Sequence, residues 1–158
     1  VELAGQVPVR QPSGKHLLFR PGNLSGKNVL RLWINHLALC ASYPDASDSS
    51  FVARDRIIRL TVVPPDRAVE LLQELVTLYQ QGIRQPLPLF PCDTWERLIQ
   101  KKAESAVSKS CKFEADDYVQ RIYGQDAQPR LYEAAEHIGQ QVFGPIGEYK
   151  FETEGAGS

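Results

Sequence analysis

With 158 residues, 42% of them apolar and 23% charged, the chain is sized for a single soluble globular domain that buries well over half of its unfolded surface. Its longest apolar stretch, residues 30–41, is interrupted by Arg31, Asn35 and His36, short of the roughly 20 apolar residues that cross a bilayer, so a membrane protein is excluded. The net charge of −1 hides a polarity: residues 1–113 hold 15 of the 18 Lys/Arg and 10 of the 19 Asp/Glu, a balance of +5, while residues 114–158 hold 3 and 9, a balance of −6. This falls short of the basic footprint of a stand-alone DNA-binding domain, but suits one face near a phosphate backbone and another near a basic protein surface.

In chain order, residues 1–9 read as a strand, Gln11-Pro12-Ser13-Gly14 as a tight turn, and residues 15–20 as a second strand. Pro21-Gly22 breaks the chain before an apolar helix over about residues 25–41. Residues 43–50 form a polar loop whose aspartates, Asp45 and Asp48, support the turn. Residues 54–63, rich in β-branched side chains and ended by Pro64-Pro65, predict a third strand carrying Arg54, Arg56 and Arg59. These arginines are the candidates for contacting a phosphate or a partner's carboxylates.

A helix then runs from Asp66 to about Gln81 and stops at Gly82, with Ala68, Leu71, Leu72, Leu75 and Tyr79 on one buried face. The Pro-punctuated residues 82–91 read as a buried extended segment, and Asp93-Thr94-Trp95-Glu96 as a capping-box-like helix start. That helix turns basic at Lys101, Lys102, Lys109 and Lys112, a second candidate contact face with little aromatic interleaving. A short helix ends at Gly124, another runs from Pro129 to Gly144-Pro145, and the acidic tail beyond Glu148 is expected to be mobile.

Cys40, Cys92 and Cys111 are far apart and odd in number, so the chain reads as reduced and cytoplasmic. His16, His36 and His137 are not read as paired with one another or with a cysteine, and zinc is not expected. Neither Ser13-Gly14-Lys15 nor Ser25-Gly26-Lys27 has the spacing of a phosphate loop, so ATP hydrolysis is not expected here.

The order strand, turn, strand, apolar helix, with a Gly-x-Val step at Gly5-Gln6-Val7, resembles the PD-(D/E)XK nuclease-like domains of the RecB family. The run Leu17-Leu18-Phe19-Arg20-Pro21-Gly22-Asn23-Leu24-Ser25-Gly26-Lys27, the helix from Leu30 to Ala41, and the Pro-Leu-Pro-Leu-Phe-Pro segment before Trp95 resemble more closely the RecC C-terminal domain family. The resemblance implies an α/β fold: a small mixed sheet with flanking helices, a restriction-endonuclease-like core over residues 1–92, a helical extension over 93–147 and a tail over 148–158, excised from a longer chain.

An active relative would carry an Asp on strand one, (Asp/Glu)-x-Lys on strand two and a Gln or Tyr on the helix, because Mg²⁺ takes hard oxygen ligands. Here the strand-one position falls on Pro8 or Gln6, strand two presents Leu18 and Arg20, and Arg31 sits near the helix position. The resemblance thus implies a nuclease fold with no catalytic residue, metal or cofactor of its own, in a subunit working with RecB and RecD on DNA ends, while those partners use Mg²⁺ and ATP. Two alternatives stand beside it: a metal-dependent nuclease using relocated ligands such as the Glu148-Tyr149-Lys150 triplet, and an independent DNA-binding module with a steep salt dependence.

Overall fold

The computed structural model describes residues 4–7, 16–99, 117–124 and 128–154. Four short strands form one mixed sheet in the order β1 (His16–Phe19), β2 (Ser49–Val52), β3 (Arg56–Leu60) and β4 (Lys150–Glu154). β1 and β2 run parallel with His16 beside Ser49 and Phe19 beside Val52, while β2–β3 and β3–β4 are antiparallel. A parallel pair requires a long crossover, and the helix α1 (Gly26–Ser42) supplies it. Val29, Leu32, Trp33, His36, Leu37 and Cys40 are all buried, the spacing of a single helical face.

The α/β class with a small mixed sheet and flanking helices is therefore as expected, but the strands are not all where the sequence suggested. Residues 4–7 have no regular structure, and the remainder of the proposed first strand, with Pro8, lies outside the described residues. The parallel neighbour of β1 is β2, whose residues 49 and 50 fall in the expected polar loop. Two serines open this strand, and only its inward positions, Ser49 and Phe51, are buried, so it lacks the apolar run that marks a strand locally. The tail is a second correction. Within the segment expected to be mobile beyond Glu148, Lys150–Glu154 forms β4 against β3, and residues 155–158 lie outside the described residues.

Contacts divide the chain into two units. One comprises Val1–Leu24, Arg31–Leu75 and Tyr149–Ser158; the other comprises Ser25–Leu30 and Val76–Glu148, so the division does not fall at Cys92/Asp93. The first unit holds the sheet, most of α1 and the start of α2 (Pro65–Arg84). α2 passes through Gly82 without stopping. Ala68 and Leu71 are buried, whereas Tyr79, expected in the core, is 70% exposed.

In the second unit, α3 (Pro91–Thr94) passes directly into a π-helical turn, Trp95–Ile99, followed by α4 (Asp117–Tyr123), α5 (Gln128–Phe143) and α6 (Ile146–Tyr149), whose last residue belongs to the first unit. Trp95 packs on Phe143 with ring centroids 5.7 Å apart. Gly26 is required beneath that tryptophan: a Cβ there would lie 1.7 Å from the Pro91 carbonyl oxygen and 2.7 Å from Trp95 Cβ. Gly124 ends α4 at φ +78°, the left-handed conformation that glycine adopts without steric cost. Residues 87–90 are half-buried but form no strand.

Candidate functional site

Leu18 lies mid-strand in β1, half-buried in the row that continues through Phe51 and Ile58. Arg20 follows the strand, exposed, its backbone N–H bonded to the Val52 carbonyl at 3.0 Å. Gln6 is exposed in irregular chain and Arg31 is exposed on α1. Leu18 offers an alkyl chain and Arg20 a guanidinium, and neither supplies the oxygen ligands that a hard cation such as Mg²⁺ takes. Among the described residues no three His, Cys, Asp or Glu side chains cluster closely enough to hold a metal. Glu148 is exposed on α6 and Lys150 opens β4.

The three arginines of the third-strand region have different fates. Arg54 lies in the β2–β3 turn, where its Nε and Nη2 donate to Asn23 Oδ1 at 3.1 and 2.8 Å. Its neighbour Asp55 accepts the Leu24 N–H at 2.8 Å and pairs with Arg56 at 3.1 Å. Burial alone would raise the Asp55 pKa, but the Leu24 and Asp55 backbone N–H groups and Arg56 outweigh it and hold the carboxyl below its usual range. Arg54 and Asp55 thus tie the hairpin turn to residues 22–24, and Arg56 pairs with Asp55. Arg59 points from β3 to solvent, in a row with Leu17, Ser50 and Phe151. Lys101, Lys102, Lys109 and Lys112 lie outside the described residues.

Sequence reasoning missed a buried polar chain in the first unit. His36 Nε2 lies 2.9 Å from the Thr61 carbonyl oxygen. A carbonyl only accepts, so this nitrogen carries the proton and Nδ1 is left to accept. Ser49 Oγ, 2.8 Å away, donates to that Nδ1 and itself accepts from His16 Nδ1 at 3.2 Å. His16 Nε2 is then a bare lone pair, buried without a partner. Cys40, four residues after His36, brings its Sγ within 3.6 Å of His36 Nε2, so a His–Cys pair at helical spacing does exist. Burial foremost lowers both histidine pKa values; His36 and Arg31 add to this at His16, while the Thr61 carbonyl and Asp48 oppose it at His36. Burial likewise pushes the Cys40 thiol up.

A serine bonded to a histidine has the makings of a nucleophile and its base. Ser49, however, has no exposed surface and cannot reach a substrate. The chain instead joins β1, β2, α1 and the residue after β3 through one hydroxyl, a connection no local pattern signals because its members lie 13 to 33 residues apart. The cysteine reading also needs correction: Cys92 is disulfide-bonded, whereas the wide spacing of the cysteines pointed to reduced thiols.

The second unit holds a 260 Å³ depression lined by Asp93, Thr94, Arg97, Tyr132 and Glu136, among others. Its charges are largely satisfied internally. Arg97 Nε bonds Asp93 at 2.9 Å, and its guanidinium lies 4.8 Å from the centre of the Tyr132 ring.

Fold and site together define an α/β domain with a sealed polar interior and an arginine on an open sheet face. Residues 1–102 match the model of the RecC C-terminal domain, well over half of the chain, and the protein belongs to that family. It is 32% identical over 91 residues to the RecBCD enzyme subunit RecC of Escherichia coli K12, a match covering 58% of this chain and 8% of that protein. The corresponding subunit of Mycolicibacterium smegmatis is 44% identical over 72 residues, and that of Mycobacterium tuberculosis H37Rv 41% over 71, each match covering 42% of this chain and 6% of the relative. The chain thus spans less than a tenth of the length of the relatives it matches.

Proposed function

We propose that this chain acts as a non-catalytic, nuclease-like domain of a RecC subunit in the bacterial cytoplasm. It docks the partner subunits RecB and RecD and helps to route DNA strands during double-strand break repair and homologous recombination, while the partners supply the Mg²⁺- and ATP-dependent chemistry. The observation that carries the reading is the family match over residues 1–102; beside it, Leu18 and Arg20 are read at the (Asp/Glu) and Lys positions of a cutting PD-(D/E)XK relative, so that the strand-two carboxylate is missing. Of the basic residues singled out on the third strand, Arg59 is the one aimed outward with no hydrogen-bond or ion-pair partner among the described residues, whereas Arg54 and Arg56 bond within or beside the hairpin turn.

The test is a pair of measurements on the purified chain. Size-exclusion chromatography with RecB and with RecD of the same bacterium is expected to show a stable complex with at least one of them. Calorimetric titration with Mn²⁺ is expected to show no saturable site. Failure to bind either subunit defeats the docking reading, and a single stoichiometric Mn²⁺ site removed by Glu148→Gln would replace it with a nuclease using relocated ligands.

A further inference from the structure

In the first unit, alternate residues of the four strands face opposite ways. The inward rows are His16, Ser49 and Leu60, then Leu18, Phe51 and Ile58. The outward rows contain Leu17, Ser50, Arg59 and Phe151, then Phe19, Val52 and Ile57. A sheet face turned to water ordinarily alternates to polar residues. This one keeps Phe19 at 79% and Phe151 at 62% exposure, with Leu17, Val52 and Val62 also exposed. Aromatic side chains around an arginine, with no Lys, Glu or Asp in the two outward rows, match the composition of the centre of a protein interface.

We infer that this outward face is a docking surface for a polypeptide segment that is apolar and carries a carboxylate to meet Arg59, an inference that rests on the docking reading above. Arg59 is exposed and makes no hydrogen bond or ion pair with any described residue, so its guanidinium donors stay open on a face that is otherwise largely apolar, with Asp48 the nearest acidic side chain in the depression beside it. Beside it, Ser47, Asp48, Ser50, Arg59 and Val62 line a depression of 420 Å³. That lining offers a guanidinium donor, a carboxylate acceptor and two hydroxyls. A polypeptide supplies both donors and acceptors and can satisfy all of them. A nucleic-acid backbone supplies acceptors and negative charge, and would meet Asp48 with like charge. A second copy related by a two-fold axis through the face would bring Arg59 towards its own equivalent. The composition and charge together favour a different polypeptide.

The experiment compares the chain with its Arg59→Glu and Phe151→Ser variants, using Arg84→Glu, exposed at the end of α2, as a control for net charge. Affinity for RecB and for RecD is measured by calorimetry, affinity for a single-stranded oligothymidylate by fluorescence anisotropy, self-association by sedimentation velocity, and folding by thermal denaturation. Arg59→Glu and Phe151→Ser are expected to weaken binding to one subunit at least about 30-fold with an unchanged melting temperature, while Arg84→Glu binds like the parent chain. Recovery of Arg59→Glu binding by an acidic-to-lysine change on the partner would fix the pairing. If the parent chain binds a subunit and neither face variant weakens it, the face is not the docking surface although the docking reading survives. If the parent binds neither subunit, both readings fall. Loss of oligothymidylate binding or of self-association in the face variants, with subunit binding intact, would assign the face to nucleic acid or to a second copy and overturn the inference.

Discussion

Phe51 and Phe151 sit on the same four-stranded sheet, yet Phe51 is 4% exposed and Phe151 is 62% exposed. The difference lies in which face each side chain occupies. On the inner face α1 supplies cover, with His36 reaching down to Ser49 and Trp33 stacking on His36 and meeting Tyr149 in a tilted contact. On the outer face the same alternation of strand residues leaves Phe19 and Phe151 mostly exposed and Val52 exposed in part. Both faces are apolar, which is the composition of a sheet buried on both sides. The comparison teaches that the inner face carries the stability of the first unit and that the outer face is free to serve recognition.

The sharpest way to break this comparison is to truncate the two phenylalanines. Phe51→Ala should cost about 3–5 kcal/mol by transfer and cavity formation, whereas Phe151→Ala should stay within about 0.5 kcal/mol, both read from urea denaturation. Equal losses would mean that the outer face is covered within the chain. The next largest effect is expected at the polar chain beneath α1. Ser49→Ala leaves His36 Nδ1 and His16 Nδ1 without their shared partner, a loss of about 1–3 kcal/mol measurable by the same method; a neutral result would show that the hydroxyl is dispensable.

Acidification should sharpen the contrast further. His16 and His36 are held below their ordinary value of 6.5, so the unfolded chain takes up protons that the folded chain refuses. Their contribution to stability is complete above about pH 6.5 and is lost as the pH falls through that value. The titratable and charged groups that face them are Arg31 and Cys40 on α1 and Asp48 before β2. A melting temperature that drops between about pH 7.5 and pH 5.5 is expected, with a smaller drop in His36→Gln; a flat profile would contradict the buried neutral pair. The smallest effect belongs to Phe19→Ser on the outer face, expected within about 0.5 kcal/mol by thermal melting.

The helices were largely legible in the sequence because their signals are local. Residues 29, 32, 33, 36, 37 and 40 announce α1 by spacing alone, and Pro64-Pro65 with Asp66 announces the start of α2. The strands were less legible because their pairing is distant. β2 opens with two serines that look like loop, and Ser49 is buried only because two histidines bond to it. β4, with Lys150, Glu152 and Glu154 alternating with Phe151 and Thr153, reads as an acidic tail until β3 is set beside it. Tyr79 shows the converse error, a helical stripe extended beyond the residues that cover it. Of the candidate contacts, the sequence singled out Arg54, Arg56 and Arg59 together; only side-chain geometry separates the two that hold the turn from the one that faces outward. The disulfide at Cys92 left no trace in the cysteine spacing.

The pairing of β4 with β3 also sets an order of events. Leu60 meets Lys150, a partner made about ninety residues downstream, and such distant contacts form slowly. During synthesis β3 therefore emerges with one side paired to β2 and the other bare, its amides and carbonyls offered to any neighbouring strand until Lys150–Glu154 leaves the ribosome. For that interval the nascent chain carries a templating edge of the kind that recruits other strands. A message shortened before the codon for Lys150 would make that bare edge permanent.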